Sequence, residues 1–442
     1  MVGARGGGAA SAAAGDRTVP GRMVVRISDV ENVGATGQPR SLGEALAGHR
    51  NSLGVLRLVL AASVIFHHSF PLIGIADPFH TFSKGQSSIG SVAVAGFFAI
   101  SGYLIAKSGA NSDAVQFMWR RFLRIFPAYW TVLIVTAFAV GPALWLVTGR
   151  ALGRYFVEDG TGPLHYFTAN WNLSVGTYGI HDLLADSTPY GRAVQSSVFN
   201  GSLWTLSYEW ICYLLIGALV LFGVLARARI LVPVITGALF IAQVYNVVSP
   251  GALAGLLPLL ADGYIIQLTF TFMVGATLAV YSKQVPFDDR LGALAAVVLL
   301  VTIRYGAYSS IGMIAGAYLV LYLGARLPAR IQWIGQKNDY SYGIYIYGFL
   351  VQQVLASFGL WKLGYLPFSV IALVVTAGCA WLSWHIVEKN AMKLKDIGPG
   401  RGVAYYAQRW PRRSRVPRLA STRDDEFDRT PDQNTPEQNK KD

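Results

Sequence analysis

The stretch from Arg50 to Asp77, RNSLGVLRLVLAASVIFHHSFPLIGIAD, is long and apolar enough to cross a bilayer, yet it carries Arg57 near one end and His67 and His68 near the other. On insertion scales an Arg at the centre of a membrane helix costs roughly 2.5 to 3.5 kcal/mol, so an ionisable residue inside such a run reads as functional. Arg57 and His68 lie eleven residues apart. At about 100° per residue that is close to three full turns, which places both side chains on one helix face. Ala61 and Val64 lie between them and leave a narrow track about 16 Å long at 1.5 Å rise per residue. His67 is rotated about 100° from that face and is expected to be the bland member of the pair.

Further apolar runs follow at roughly 88–107, 128–148, 202–225, 229–249, 263–282, 290–304, 307–325, 340–359 and 367–387. With 53% hydrophobic and only 14% charged residues, the chain lacks the polar surface of a soluble globule. The expected fold is therefore an all-α membrane protein: about ten transmembrane helices in a single bundle over residues 46–390. A disordered leader (1–45) and a disordered tail (391–442) flank it. The net charge of +13 does not imply nucleic acid, because the basic residues concentrate in tails and short loops beside apolar runs. Those loops place both termini in the cytoplasm and the long 149–200 segment outside. Cys212 and Cys379 have no motif spacing, so neither a disulfide framework nor a metal site follows.

Three more stretches carry polar chemistry. In FMWRRFLRIFPAYW, residues 117–130, Arg121 and Arg124 face the same way on a helix; that fork suits phosphate, while membrane-interface anchoring is the competing account. In SLWTLSYEWICYL, residues 202–214, Ser202, Thr205, Glu209 and Tyr213 make a polar stripe beside Trp204. Glu209 must pair, stay protonated or face water; it is a candidate counter-ion for Arg57 or support for an imidazole. In DYSYGIYIYGF, residues 339–349, Ser341 and four tyrosines including Tyr345 either line a polar cavity or form an aromatic belt. Glu388 and Lys389 at the end of the last run are expected to mark the membrane surface.

Taken together, Arg57-x10-His68, FFAISGYL (97–104), RRFLRIFPAYW (120–130), WTLSYE (204–209), SYGIYIYGF (341–349) and IVEKN (386–390) resemble the acyltransferase-3 family of integral-membrane acyltransferases, in family order and across about residues 50–390. The resemblance implies an enzyme of the bacterial inner membrane. Such an enzyme moves an acyl group, often acetyl, from cytoplasmic acyl-CoA to a hydroxyl of a surface glycan or lipid-linked precursor. It also implies that His68 and Arg57 belong to the catalytic motif and that Arg121 and Arg124 help hold the CoA. Thr205 and Glu209 match the family's W-S/T-L-x-x-E helix. The chain departs from the common pattern at Trp210, where many members have a second glutamate, at Tyr347-Gly348-Phe349, where many have a histidine, and at Asn390, which replaces a proline.

The expected site therefore comprises His68 as general base with Arg57 and Glu209, and Arg121 and Arg124 for the donor. Trp204, Thr205, Ser341 and Tyr345 are the candidates for substrate contact. No permanently bound cofactor is expected; acyl-CoA, with acetyl-CoA foremost, is the donor substrate. A transporter of a polar lipid or glycan precursor is the rival reading, since intramembrane Arg, His and Glu also serve transport; against it, the sequence shows no inverted repeat.

Overall fold

The computed structural model describes residues 41–48, 51–157, 161–403 and 405–406. The leader before Ser41 and the tail beyond Tyr406 fall outside them. Each apolar run corresponds to a helix: α1 (Leu53–Ile73), α2 (Ile89–Gly109), α3 (Ala114–Val147), α4 (Thr205–Leu221), α5 (Leu231–Val248), α6 (Gly263–Val280), α7 (Asp289–Tyr305), α8 (Tyr308–Arg326), α9 (Ser341–Ser357) and α10 (Tyr365–Met392). Seven of these are long and apolar enough to cross a membrane. The other three, α4, α7 and α9, have 17 residues each and pack in the same bundle. No strand forms among the described residues, only an isolated bridge between Ser41 and Pro286.

Polar groups at the helix starts explain several boundaries. Ser41 accepts from the Glu44 amide and opens the short helix Leu42–Ala45 ahead of α1. Ser88 caps α2, Asp113 caps α3 and Asp288 caps α7, each satisfying amides that have no partner within the helix. Between α7 and α8 the chain turns at Gly306 and Ala307, with φ of 134° and 70°. Between α5 and α6, residues 251–262 form two short 3₁₀ turns.

The third helix starts earlier than its apolar run. It begins at Ala114, passes through Pro127 and carries a π-turn at Thr136–Val140, so the basic cluster is part of the helix itself. At 34 residues it is about 51 Å long, well over a hydrocarbon core of about 30 Å. The beginning of the expected tail is likewise folded. Trp119 donates to the Leu394 carbonyl, Arg120 pairs with Asp396, and Asp113 accepts from the Val403 amide.

Helices α2 and α6 approach each other closely. A Cβ on Gly102 would lie 1.9 Å from the Phe272 carbonyl oxygen, and one on Gly275 would lie 2.1 Å from that of Ala99. Reciprocal glycines let the two backbones touch, the small-residue packing that serves where lipid supplies no hydrophobic drive. That contact fixes the wall against which α1, α4 and α9 enclose the polar interior.

Candidate active site

Three chambers lie in series through the bundle. The first, about 720 Å³, opens at the end where α1 begins and α2 finishes; Lys107, Lys337 and Arg57 line it. The middle one is a waist of about 60 Å³ walled by Arg57, Arg124, Glu209, Ser341 and Tyr345. The last, about 300 Å³, holds His67, His68, Trp204, Tyr264 and Gln267. Arg57 belongs to the first and second chambers, while Thr205 and Tyr345 border both the second and third. The waist has room for a few water molecules or a slender chain, not for a nucleotide.

A carboxylate absent from the expected site organises the waist. Asp339, just before α9, accepts from Arg57 Nη1 and Arg124 Nη2 through the same oxygen, Oδ2, both at 2.5 Å. Its other oxygen accepts from the Ser341 hydroxyl and amide at 2.5 and 3.2 Å. Burial alone pushes the Asp339 carboxyl up, but the two guanidiniums and Ser341 outweigh it and hold the pKa at about 2. Arg124 also donates to Glu388 at 3.2 Å. Glu388 is therefore not the membrane-surface marker expected from its place at the end of the last run; it is 2% exposed and accepts a hydrogen bond from Arg124.

The expected open fork of Arg121 and Arg124 does not form. Arg124 is taken up by two carboxylates, and Arg121 lies over the rings of Phe117 and Tyr213, 5.8 and 5.9 Å from their centroids, with its Nε buried and unpartnered. Two half-buried charges on the same helix face need compensation more than they can offer a ligand. Glu209 does not hold His68 either. It accepts from Tyr213 at 2.5 Å and from Ser101 at 3.3 Å, whereas His68 Nδ1 is buried with no hydrogen-bond partner. The remaining candidates fall along the path: Ser341 on the waist, Trp204 in the last chamber, and Thr205 hydrogen-bonded to Tyr345 at 2.5 Å where the two meet.

His67, expected to be the bland member of the pair, also lies on the chamber wall. Both imidazoles line the last chamber, 5.5 Å apart, because the chamber wraps the end of α1 widely enough to take in neighbouring side chains. His67 Nδ1 faces Asp77 Oδ2 at 3.2 Å. The available signal was the DP pair at 77–78: an Asp before Pro opens a helix and turns its carboxylate back toward α1.

An acyltransferase-domain family pattern matches residues 50–385. The chain is 29% identical over 351 residues to an O-acetyl transferase of Shigella phage Sf6, covering 77% of this chain and 95% of the relative. It is 29% identical over 380 residues to Nodulation protein 10 of Rhizobium leguminosarum bv. viciae, covering 80% of this chain and 96% of that protein. A shorter similarity, 28% over 100 residues, covers 20% of this chain and 26% of acyltransferase MdmB of Streptomyces mycarofaciens. No solved structure matches.

Proposed function

The chain belongs to the acyltransferase-3 family of membrane O-acyltransferases, and from that premise we propose that it carries acetyl from cytoplasmic acetyl-CoA to a hydroxyl of a glycan or glycolipid at the outer face of the bacterial inner membrane. The observation that carries this reading is the path itself: basic at one end, narrow in the middle, lined with imidazole and aromatic groups at the other. The distribution of Lys and Arg supports a cytoplasmic first chamber, on the same side as both termini. Lys107 and Lys337 there suit the phosphates of CoA, a role that the ring-stacked Arg121 and the carboxylate-bound Arg124 are poorly placed to fill. The pantetheine arm, the slender part of CoA, then runs past Arg57 and Arg124 through the waist.

In the last chamber the thioester carbonyl meets the acceptor. The hydroxyl oxygen bonds to the carbonyl carbon, the C–S bond breaks, and the hydroxyl proton passes through His68 to the departing sulfur, giving the ester and free CoA. Trp204 and Tyr264, with ring centroids 4.9 Å apart, and the amide of Gln267 offer the mix of flat apolar and hydrogen-bonding surface that suits a sugar. The acetyl group is favoured because one extensive relative is named an O-acetyl transferase.

The test uses purified full-length protein in proteoliposomes, with radiolabelled acetyl-CoA and glycolipid extracted from the host membrane. Acetyl should appear in the glycolipid, and Lys107→Ala with Lys337→Ala should raise the half-saturating acetyl-CoA concentration about tenfold, more at low salt than at high. Absence of label from the glycolipid would remove the reading; an unchanged donor half-saturation in the double variant would remove the phosphate site.

A further inference from the structure

We propose that His67, held by Asp77, is an acceptor-positioning residue whose Nε2 accepts a hydrogen bond from a hydroxyl of the glycan; this rests on the acyl-transfer reading above. Four observations support it. His67 lies on the wall of the last chamber beside His68. Its Nδ1 is engaged by Asp77, and its Nε2 makes no hydrogen bond among the described residues. The approach of α2 is shaped to admit the ring: a Cβ on Gly90 would lie 2.3 Å from His67 Cδ2 and 3.1 Å from Nε2. Asp77, finally, does more than its local structure needs. One oxygen, Oδ1, caps the short helix Pro78–Phe82 through the Phe79 amide at 2.9 Å, which alone satisfies the cap. The second oxygen is turned to the imidazole.

A carboxylate is acceptor-only, so the pairing places the proton on Nδ1 and leaves a lone pair on Nε2, directed to receive a hydroxyl. His68 has no such support, since its Nδ1 is unpartnered and its ring packs edge-on against Phe349 with centroids 5.1 Å apart. The two rings thus divide the work. His68 meets the hydroxyl that reacts, while His67 holds a second hydroxyl of the same sugar and so selects which position is presented.

Asp77→Asn separates this role from the capping role. The Asn carbonyl oxygen still caps Phe79, whereas its amide NH₂ donates to Nδ1 and moves the ring proton to Nε2, which then cannot accept. In the proteoliposome assay, Asp77→Asn and His67→Asn should each raise the half-saturating glycolipid concentration about fivefold or more. Half-saturation by acetyl-CoA should stay within twofold of wild type, and Asp77→Glu should recover part of the loss. Unchanged glycolipid half-saturation in both Asn variants, or a parallel rise for acetyl-CoA, would overturn the proposal. Failure of the wild-type protein to label the glycolipid would instead overturn the acyl-transfer reading on which it rests.

Discussion

Asp339→Asn is the sharpest perturbation the structure offers, because one carboxylate oxygen serves two arginines. The change keeps the side-chain volume and one carbonyl acceptor but removes the charge that faces Arg57 and Arg124, and the Ser341 hydroxyl competes for what remains. Each lost charge-assisted hydrogen bond is worth about 1.5 to 3 kcal/mol, so the pair sums to roughly 3 to 6 kcal/mol. That agrees with about 3 to 5 kcal/mol for removing one partner of a buried ion pair. The side chains are 16% to 24% exposed, so screening by water brings the expectation to the lower end, about 3 kcal/mol. Thermal unfolding in detergent should show a melting temperature several degrees lower, and Arg57→Ala in the Asp339→Asn background should cost much less than in wild type, a coupling read from the double-mutant cycle. A melting temperature within one or two degrees of wild type, with no coupling to either arginine, would refute the view that Asp339 organises the waist. The sign of the pH dependence follows from the depressed pKa. The stabilisation is fully present above the ordinary carboxylate value of 3.8 and is lost as pH falls through about 2, so Asp339 should add no pH dependence near neutrality.

His68→Gln should reduce transfer at least about 10²-fold with normal amounts of protein in the membrane, and near wild-type transfer would remove His68 as the base. Cysteine at Leu164, in the 149–200 segment, should react with an impermeant thiol reagent only from outside, and cysteine at Lys337 only from the cytoplasm; the reverse pattern would invert the topology. Gly102→Val should abolish recovery of folded protein, because even its Cβ would meet the Phe272 carbonyl at 1.9 Å; normal yield and melting temperature would contradict the tight α2–α6 contact.

Much of the architecture could be read from hydropathy because membrane spans obey one strong rule: long apolar runs become helices. Spacing on a single helix was equally informative, and Arg57 and His68 both face the path as their eleven-residue separation requires. What sequence could not supply was the partner across space. Asp339 and Glu388 are distant from Arg124 along the chain, and only the packing of α3, α9 and α10 brings them together at 2.5 and 3.2 Å. Periodicity alone did not show that His67 would reach the last chamber, since a 100° offset excludes a side chain from a narrow seam but not from a chamber that wraps the helix end. The start of α3 was lost to a break in hydropathy: Arg120, Arg121 and Arg124 interrupt the apolar run without interrupting the backbone helix.

A polar path through a bilayer also threatens the proton gradient, which any continuous file of water would discharge. The waist opposes such a leak with the Thr205–Tyr345 hydrogen bond, which ties together two side chains shared by the second and third chambers and must open for the donor arm to pass. Tyr345→Phe combined with Thr205→Val would remove the closing bond, and proteoliposomes containing that variant should dissipate an imposed pH gradient faster than those containing the wild-type chain.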